Sequence, residues 1–322
     1  MLQFVLRVLA LAMAWTAAPA LSASSSYPDR PVRLIIGSAP GSGPDIISRV
    51  ISERLYSMWK ERVVVDSRPG AAGTISAELA LRAAPDGYTW MMLTSQLLVA
   101  SRVFPDLKFD LERDFASISL IGTVPFVLMV NPQVPAKSIA ELIALAKKQP
   151  GSLRYGSAGT GASEHLSGVM FNRLSGTEML HVPYKGVAQA ITDTIANEVQ
   201  LTYAVVPAAN PSIQGGRLRP LGVTSRTRAP LLPNVPSISE AVPGYEMLGW
   251  YSLVAQTGTP DAILAKVSAD VVRIVKEPAF AEKLKSLGID VVGGTRTELD
   301  AFRRSQTERI TELVKAAGVD NK

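Results

Sequence analysis

Gly37-Ser38-Ala39-Pro40-Gly41-Ser42-Gly43-Pro44-Asp45 and Gly156-Ser157-Ala158-Gly159-Thr160-Gly161-Ala162-Ser163-Glu164 are two versions of one small-residue motif. The first follows the apolar segment Val32-Arg33-Leu34-Ile35-Ile36 and the second follows Leu153-Arg154-Tyr155; each precedes an amphipathic run of helical period. The chain thus twice writes strand, loop, helix. Small residues let a ligand approach the backbone closely, and the first turn of the following helix points unpaired N–H groups outward. Those groups and the helix dipole favour an anion. Taken singly, each string is also an ordinary turn between a strand and a helix. The matched Gly-Ser-Ala openings favour two loops that grip one anion from both sides.

Working outward, alternating apolar and amphipathic segments continue on either side. Strands are expected at 32–36, 63–65 and 89–93, with helices at 45–59 and 74–84. The pattern restarts with a strand at 126–130 closed by Asn131-Pro132. Ser138-Ile139-Ala140-Glu141 is a capping box opening a helix to about residue 148. A helix at 163–174, strands at 179–182, 199–203 and 218–224, and a helix at 187–197 follow. A Pro-rich stretch over 230–243 leads to an extended segment at 247–255 that carries Trp250 and Tyr251, and three helical segments close the chain. Strands alternating with helices predict an α/β fold with mostly parallel sheet and right-handed crossovers. The two restarts predict two α/β domains, with the closing helices packed back onto the first. Crossings are then expected near 121–125 and 249–253. Ligands bind at the carboxyl ends of the strands in such sheets, so two sheets facing across a double hinge form a cleft that closes on its ligand.

At 322 residues, 47% hydrophobic and 19% charged, the chain is long enough for two well-packed domains. The formal net charge is +5, no basic run exceeds two residues and aromatics are 6%, which argues against a nucleic-acid partner and suits acidic small molecules. There is no cysteine, which excludes disulfides, thiolate metal sites, a thiol nucleophile and a lipid-modified cysteine. Arg7 precedes the apolar run Val8-Leu9-Ala10-Leu11-Ala12-Met13-Ala14-Trp15, and small residues follow through Ala23. This is the layout of a secretory signal peptide over 1–24, with cleavage expected between Ala20 and Ser26. An exported protein free in the periplasm is the expectation.

Catalytic patterns are missing. His165 and His181 are the two histidines and lack metal-ligand spacing on one helix. No zinc-protease, nucleophile-elbow or P-loop string occurs, and Ile46 and Glu164 occupy the third glycine position of a dinucleotide fingerprint. Ser157 with His165 is the one nucleophile–base pair that can be drawn, and it has no orienting acid. No enzymatic activity, cofactor or metal is expected.

These residues resemble a known family. Tyr27-Pro28-Asp29-Arg30-Pro31-Val32-Arg33, Ser67-Arg68-Pro69-Gly70-Ala71-Ala72-Gly73, Pro85-Asp86-Gly87-Tyr88-Thr89, His181-Val182-Pro183-Tyr184-Lys185-Gly186 and Gly258-Thr259-Pro260, with the two loops, match in order. The chain is similar to the Bug-type periplasmic solute receptors of the tripartite tricarboxylate transporter family. The resemblance implies a type II periplasmic binding protein fold, with domain I over 25–123 and 250–322 and domain II over 124–249. It also implies a monomer that captures a small carboxylate and delivers it to the subunits of a membrane permease; the alternatives are a receptor feeding a signalling partner and, less favoured, an exported serine hydrolase using Ser157 and His165. Carried over, the ligand-binding residues are Ala39, Pro40, Gly41, Ser42, Gly43, Pro44 and Asp45 on one side. Ser157, Gly159, Thr160, Gly161, Ala162 and Ser163 face them. Pro40 and Pro44 lack an N–H and shape the loop. Ala204 and Val205 stand where the family commonly has Asp and Asn, so the resemblance implies a ligand without an α-amino group.

Overall fold

The computed structural model describes residues 27–104 and 106–319; the expected signal peptide lies outside them. Among these residues ten strands form one continuous sheet in the order β2-β1-β3-β9-β4-β7-β5-β6, with β8 and β10 also on β4. β1 (Val32–Ile36) lies parallel between β2 (Val63–Ser67) and β3 (Thr89–Thr94). β5 (Arg154–Ser157) lies parallel between β6 (Leu180–Pro183) and β7 (Leu201–Val205). These two parallel triplets are the halves foreseen from the repeated loop.

The centre is antiparallel, which departs from the mostly parallel expectation. β4 runs unbroken from Phe115 to Val130, and only Ala116 and Thr123 are not fully buried. Its first part pairs with β9 (Leu248–Gln256) and β10 (Asp290–Gly294). Its last part, Phe126 to Val130, pairs with β7 and β8 (Arg219–Val223). The two expected crossings are therefore one hydrogen-bonded ribbon, with Val124 opposite Gly249 and Pro125 opposite Leu248. A strand buried along its whole length shows no alternation, so its first half carries no strand period in sequence.

Helices cover the faces: α1 (Gly43–Trp59), α2 (Thr74–Leu81), α3 (Ser95–Val103), α4 (Ile139–Lys148), α5 (Ser163–Ser175), α6 (Val187–Ile195), α7 (Val206–Gln214), α8 (Asp261–Val275), α9 (Pro278–Ser286) and α10 (Arg296–Ala316). Two of these are absent from the sequence reading. α3 begins immediately after β3, capped by Thr94, whose Oγ1 accepts from the Leu97 N–H at 3.3 Å. α7 carries Pro207 in its first turn, where no N–H is required, and Pro211 inside, where one backbone bond is lost. The capping box at α4 is half formed: Ser138 accepts from the Glu141 N–H, but the Glu141 carboxylate accepts from the Lys137 N–H instead.

The closing helices depart from expectation at one point. α8 packs on α1 and β10, as foreseen. α10 packs on β4 and α3 and also reaches α5 in the other half, where Arg173 stands 3.7 Å from Glu312. Its buried Arg303 donates to the Phe115 carbonyl and to the Ser117 hydroxyl, both at 2.9 Å, and to the Leu111 carbonyl. Gly122 is required by close approach: a Cβ there would meet the Asp290 carbonyl oxygen at 2.6 Å. Overpacking of this kind costs about 1–3 kcal/mol. Gly122→Ala is therefore expected to lower the urea midpoint with an unchanged slope, measured by equilibrium unfolding.

Candidate functional site: a cleft ringed by helix N-termini

A cleft of about 390 Å³ lies between the two parallel triplets. Five helices begin at its wall. α1 contributes Ser42 and Pro44, α3 contributes Ser95 and Gln96 beside Thr94, α5 contributes Ala162, Ser163 and Glu164, α6 contributes Val187, and α7 contributes Val205 at its N-cap. This convergence follows from topology, because each helix follows a strand or loop that ends at the same gap. The remaining wall is β4 and β9: Val124 and Phe126, with Gly249 and Tyr251. Among the described residues that line it there is no Lys, Arg or His, and Glu164 is the one carboxylate. The groups at this wall that favour an anion are thus the helix N-terminal amides and their dipoles.

The loops divide their amides. The Gly41 N–H donates to the Asp45 carboxylate at 2.9 Å, and Arg49 Nε donates to the same group at 3.0 Å. The Arg49 hydrogen bond holds the Asp45 carboxyl below its usual range. Asp45 is therefore an internal anion that shapes the first loop. In the second loop the Gly159 N–H donates to Ser157 Oγ at 3.1 Å, the Gly161 N–H to His165 Nδ1 at 3.0 Å, and the Ala162 N–H to the Gly159 carbonyl at 3.1 Å. The N–H groups of Gly43, Thr160, Ser163 and His165 have no protein acceptor among the described residues. Those amides remain free for an anion, whereas four glycine and alanine amides of the expected grip, those of Gly41, Gly159, Gly161 and Ala162, are already occupied.

The expected residues do not share one surface; Gly159, outside the lining, is half-buried beside the Tyr184 carbonyl. Ser42, Pro44, Ala162, Ser163 and Val205 line the cleft. Gly43 is next to it: a Cβ on that residue would lie 3.1 Å from the Tyr251 hydroxyl. Thr160 and Gly161 face α3 across a smaller adjoining space, where a Cβ at 161 would meet Val103 at 2.9 Å. Ala39, Pro40 and Gly41 are exposed outside the lining, and Ser157 and Asp45 are buried behind it. Ala204 is fully buried against Val127 and Met129 in the core, because alternate residues of β7 face opposite sides; its neighbour Val205 turns to the cleft. The argument that a lost acidic side chain at 204 excludes an amino group therefore fails.

The sequence reading missed Gln96, Phe126, Glu164 and Tyr251 as lining residues. The strand and helix that carry Phe126 and Gln96 are only juxtaposed by folding. Tyr251 was placed on the crossing segment, and its hydroxyl is held protonated by burial, which pushes it up to about 12. Trp250, its neighbour, is buried edge-on against Phe302, 5.6 Å between ring centroids.

The second loop rests on an imidazole pair. His165 and His181 stack with centroids 3.8 Å apart and rings 21° from parallel. Ser157 Oγ lies 2.6 Å from His181 Nε2, so its partner is His181 and not His165. Ser157 is fully buried and no carboxylate orients either ring among the contacts described, so the pair fastens β5 to β6 rather than presenting a nucleophile.

The chain matches the family model described as "Tripartite tricarboxylate transporter family receptor" over residues 47–319. It belongs to that family. A relative from Pseudomonas sp. strain P51, a UPF0065 protein in the tcbD-tcbE intergenic region, is 35% identical over 96% of this chain and 93% of its own length. The solved structure of R. palustris Rpa4515 with adipate is 32% identical, with a TM-score of 0.79 over 91% of this chain and 99% of that one. MatC from Rhodopseudomonas palustris with bound malate is 26% identical, with a TM-score of 0.74 over 89% and 99%. The tripartite tricarboxylate receptor family is one of solute-binding proteins, and the two-lobed α/β fold foreseen from the paired loops is the fold of these receptors.

Burial lowers both histidines from 6.5 to about 4, in His181 with a further contribution from His165. His165 Nδ1 must be unprotonated to accept from Gly161. As pH falls below 6.5 the unfolded chain takes up protons that the folded pair refuses until about pH 4. Stability is thus full above the unfolded value and falls through that window. Thermal unfolding across this range is expected to show a falling midpoint, with a flatter slope in the His165→Gln/His181→Gln double variant.

Proposed function

We propose that the protein is an exported receptor that captures a small carboxylate between its lobes and presents it to the subunits of a tripartite tricarboxylate-type permease. The observation that carries this reading is the cleft: five helix N-termini meet there with no cationic side chain among the described lining residues. Such a site holds an anion through N–H groups and dipoles without the desolvation cost of a buried cation. Its volume suits a small molecule. The adipate and malate in the two related structures are carboxylates of that size class.

The lobes of this reading are 25–123 with 250–322, and 124–249, moving about the β4–β9 ribbon. The residues we assign to the ligand are Ser42, Gly43, Ser95, Gln96, Ser163 and Tyr251, with Val205 and Phe126 as apolar wall. The leader at 1–24 is removed on export, and no helix among the described residues is long and apolar enough to cross a membrane. Catalysis forms no part of this reading, since the one serine–histidine pair is buried behind the loop.

A thermal-shift panel of mono- and dicarboxylates tests it. A bound member at a hundredfold its Kd raises stability by about 2.7 kcal/mol. No stabilisation by any carboxylate overturns the reading. Gly43→Val places a branched side chain against Tyr251 and is expected to remove the shift while far-ultraviolet dichroism stays unchanged. A ligand that touches both lobes favours the closed form. The radius of gyration in solution scattering is therefore expected to fall when the ligand saturates, and identical curves would mean that the lobes do not move.

A further inference from the structure

Glu164 is the one acidic side chain among the described residues lining the cleft, and among them it makes no ion pair and no hydrogen bond to another residue's side chain. The contrast with the first loop is sharp in chemical terms. There the internal carboxylate, Asp45, has Arg49 against it at 2.9 Å. Glu164 stands in the first turn of α5, half-buried, with no cation acting on it; burial pushes its carboxyl above the usual range, against its own amide and the helix dipole, which favour its charge. A half-buried carboxylate with no cation beside it is open to a positive group brought by a ligand.

The other wall has the opposite character. Ser42, Ser95, Gln96 and the Tyr251 hydroxyl stand with the N-termini of α1 and α3 and carry no acid. A ligand bridging the lobes meets N–H and hydroxyl donors with no acid at one end, and at the other the free amides of α5 together with the Glu164 carboxylate. This inference rests on the carboxylate-receptor reading and narrows it. We propose that Glu164 selects carboxylates with a cationic nitrogen at their far end, the nitrogen standing against Glu164 and the carboxylate against the N-termini of α1 and α3. A dicarboxylate of the same length would bring a second anion to Glu164 and is disfavoured by repulsion. The expectation of a ligand without an α-amino group rested on Ala204 and Val205; Ala204 faces the core, Val205 lines the cleft, and an amino group at the far end is a different position.

The test uses two length-matched trios measured by calorimetry: γ-aminobutyrate, succinate and butyrate, and ε-aminocaproate, adipate and caproate. In the unaltered protein the amino member of at least one trio is expected to bind about tenfold or more tighter than its dicarboxylate, the size of one charge-assisted hydrogen bond. Glu164→Gln keeps the shape and removes the charge. It is expected to weaken the amino member by a similar factor and to strengthen the dicarboxylate, reversing the order. Dicarboxylates that bind as well as or better than their amino partners in both trios overturn the proposal and leave the carboxylate reading standing. An unchanged ratio in Glu164→Gln does the same and assigns Glu164 to the helix end alone, which a lowered melting temperature without a changed ratio would also reveal. Binding of none of the six removes the carboxylate reading itself.

Discussion

Val124 and Gly249 face each other where the chain passes between its halves, and a Cβ on residue 249 would stand 2.8 Å from the Val124 side chain. The pairing of β4 with β9 through this point is the constraint on which the site depends. Two crossings tied by hydrogen bonds hold the parallel triplets at a fixed offset, so the carboxyl ends of both face one gap. The helices that follow those strands must then start at that gap. A ring of helix N-termini is thus a consequence of topology, and the absence of lining cations is compatible with anion binding because the dipoles supply the positive end.

The two loops are not symmetric in how they serve the cleft. Each carries an acid shortly after its glycines, but Asp45 turns inward to the Gly41 amide and Arg49, whereas Glu164 lines the opening. The glycines that look like an anion cradle largely satisfy their own loops. The groups left over for a ligand are those of the first helical turns, where no earlier carbonyl exists to accept them. Neutral imidazoles under the second loop keep this division in place, since a protonated His165 would have no lone pair for Gly161.

Much of this architecture was legible in the chain. The paired loops, the helices at α1, α5, α8 and α10 and the parallel triplets follow from periodicity and small-residue strings, which act over a few residues. Ser42, Pro44, Ala162, Ser163 and Val205 followed from family resemblance and do line the cleft. What stayed hidden has separate causes: the first half of β4 has no alternation because both faces are buried, α7 hides behind two prolines, Gln96 and Phe126 lie far in sequence from the two loops, and the face that Glu164 presents is set by packing.

Local chemistry alone determined that this chain builds two strand–loop–helix units with helix N-termini bare for an anion. Tertiary structure decided which amides remain free, that Ser157 meets His181 rather than His165, that Ala204 packs inward, and that Glu164 enters the cleft unpaired. The physical reason is that a side chain's face is set by strand pairing and lobe packing. A shift of one residue along β7 turns Ala204 into the core and Val205 to the ligand.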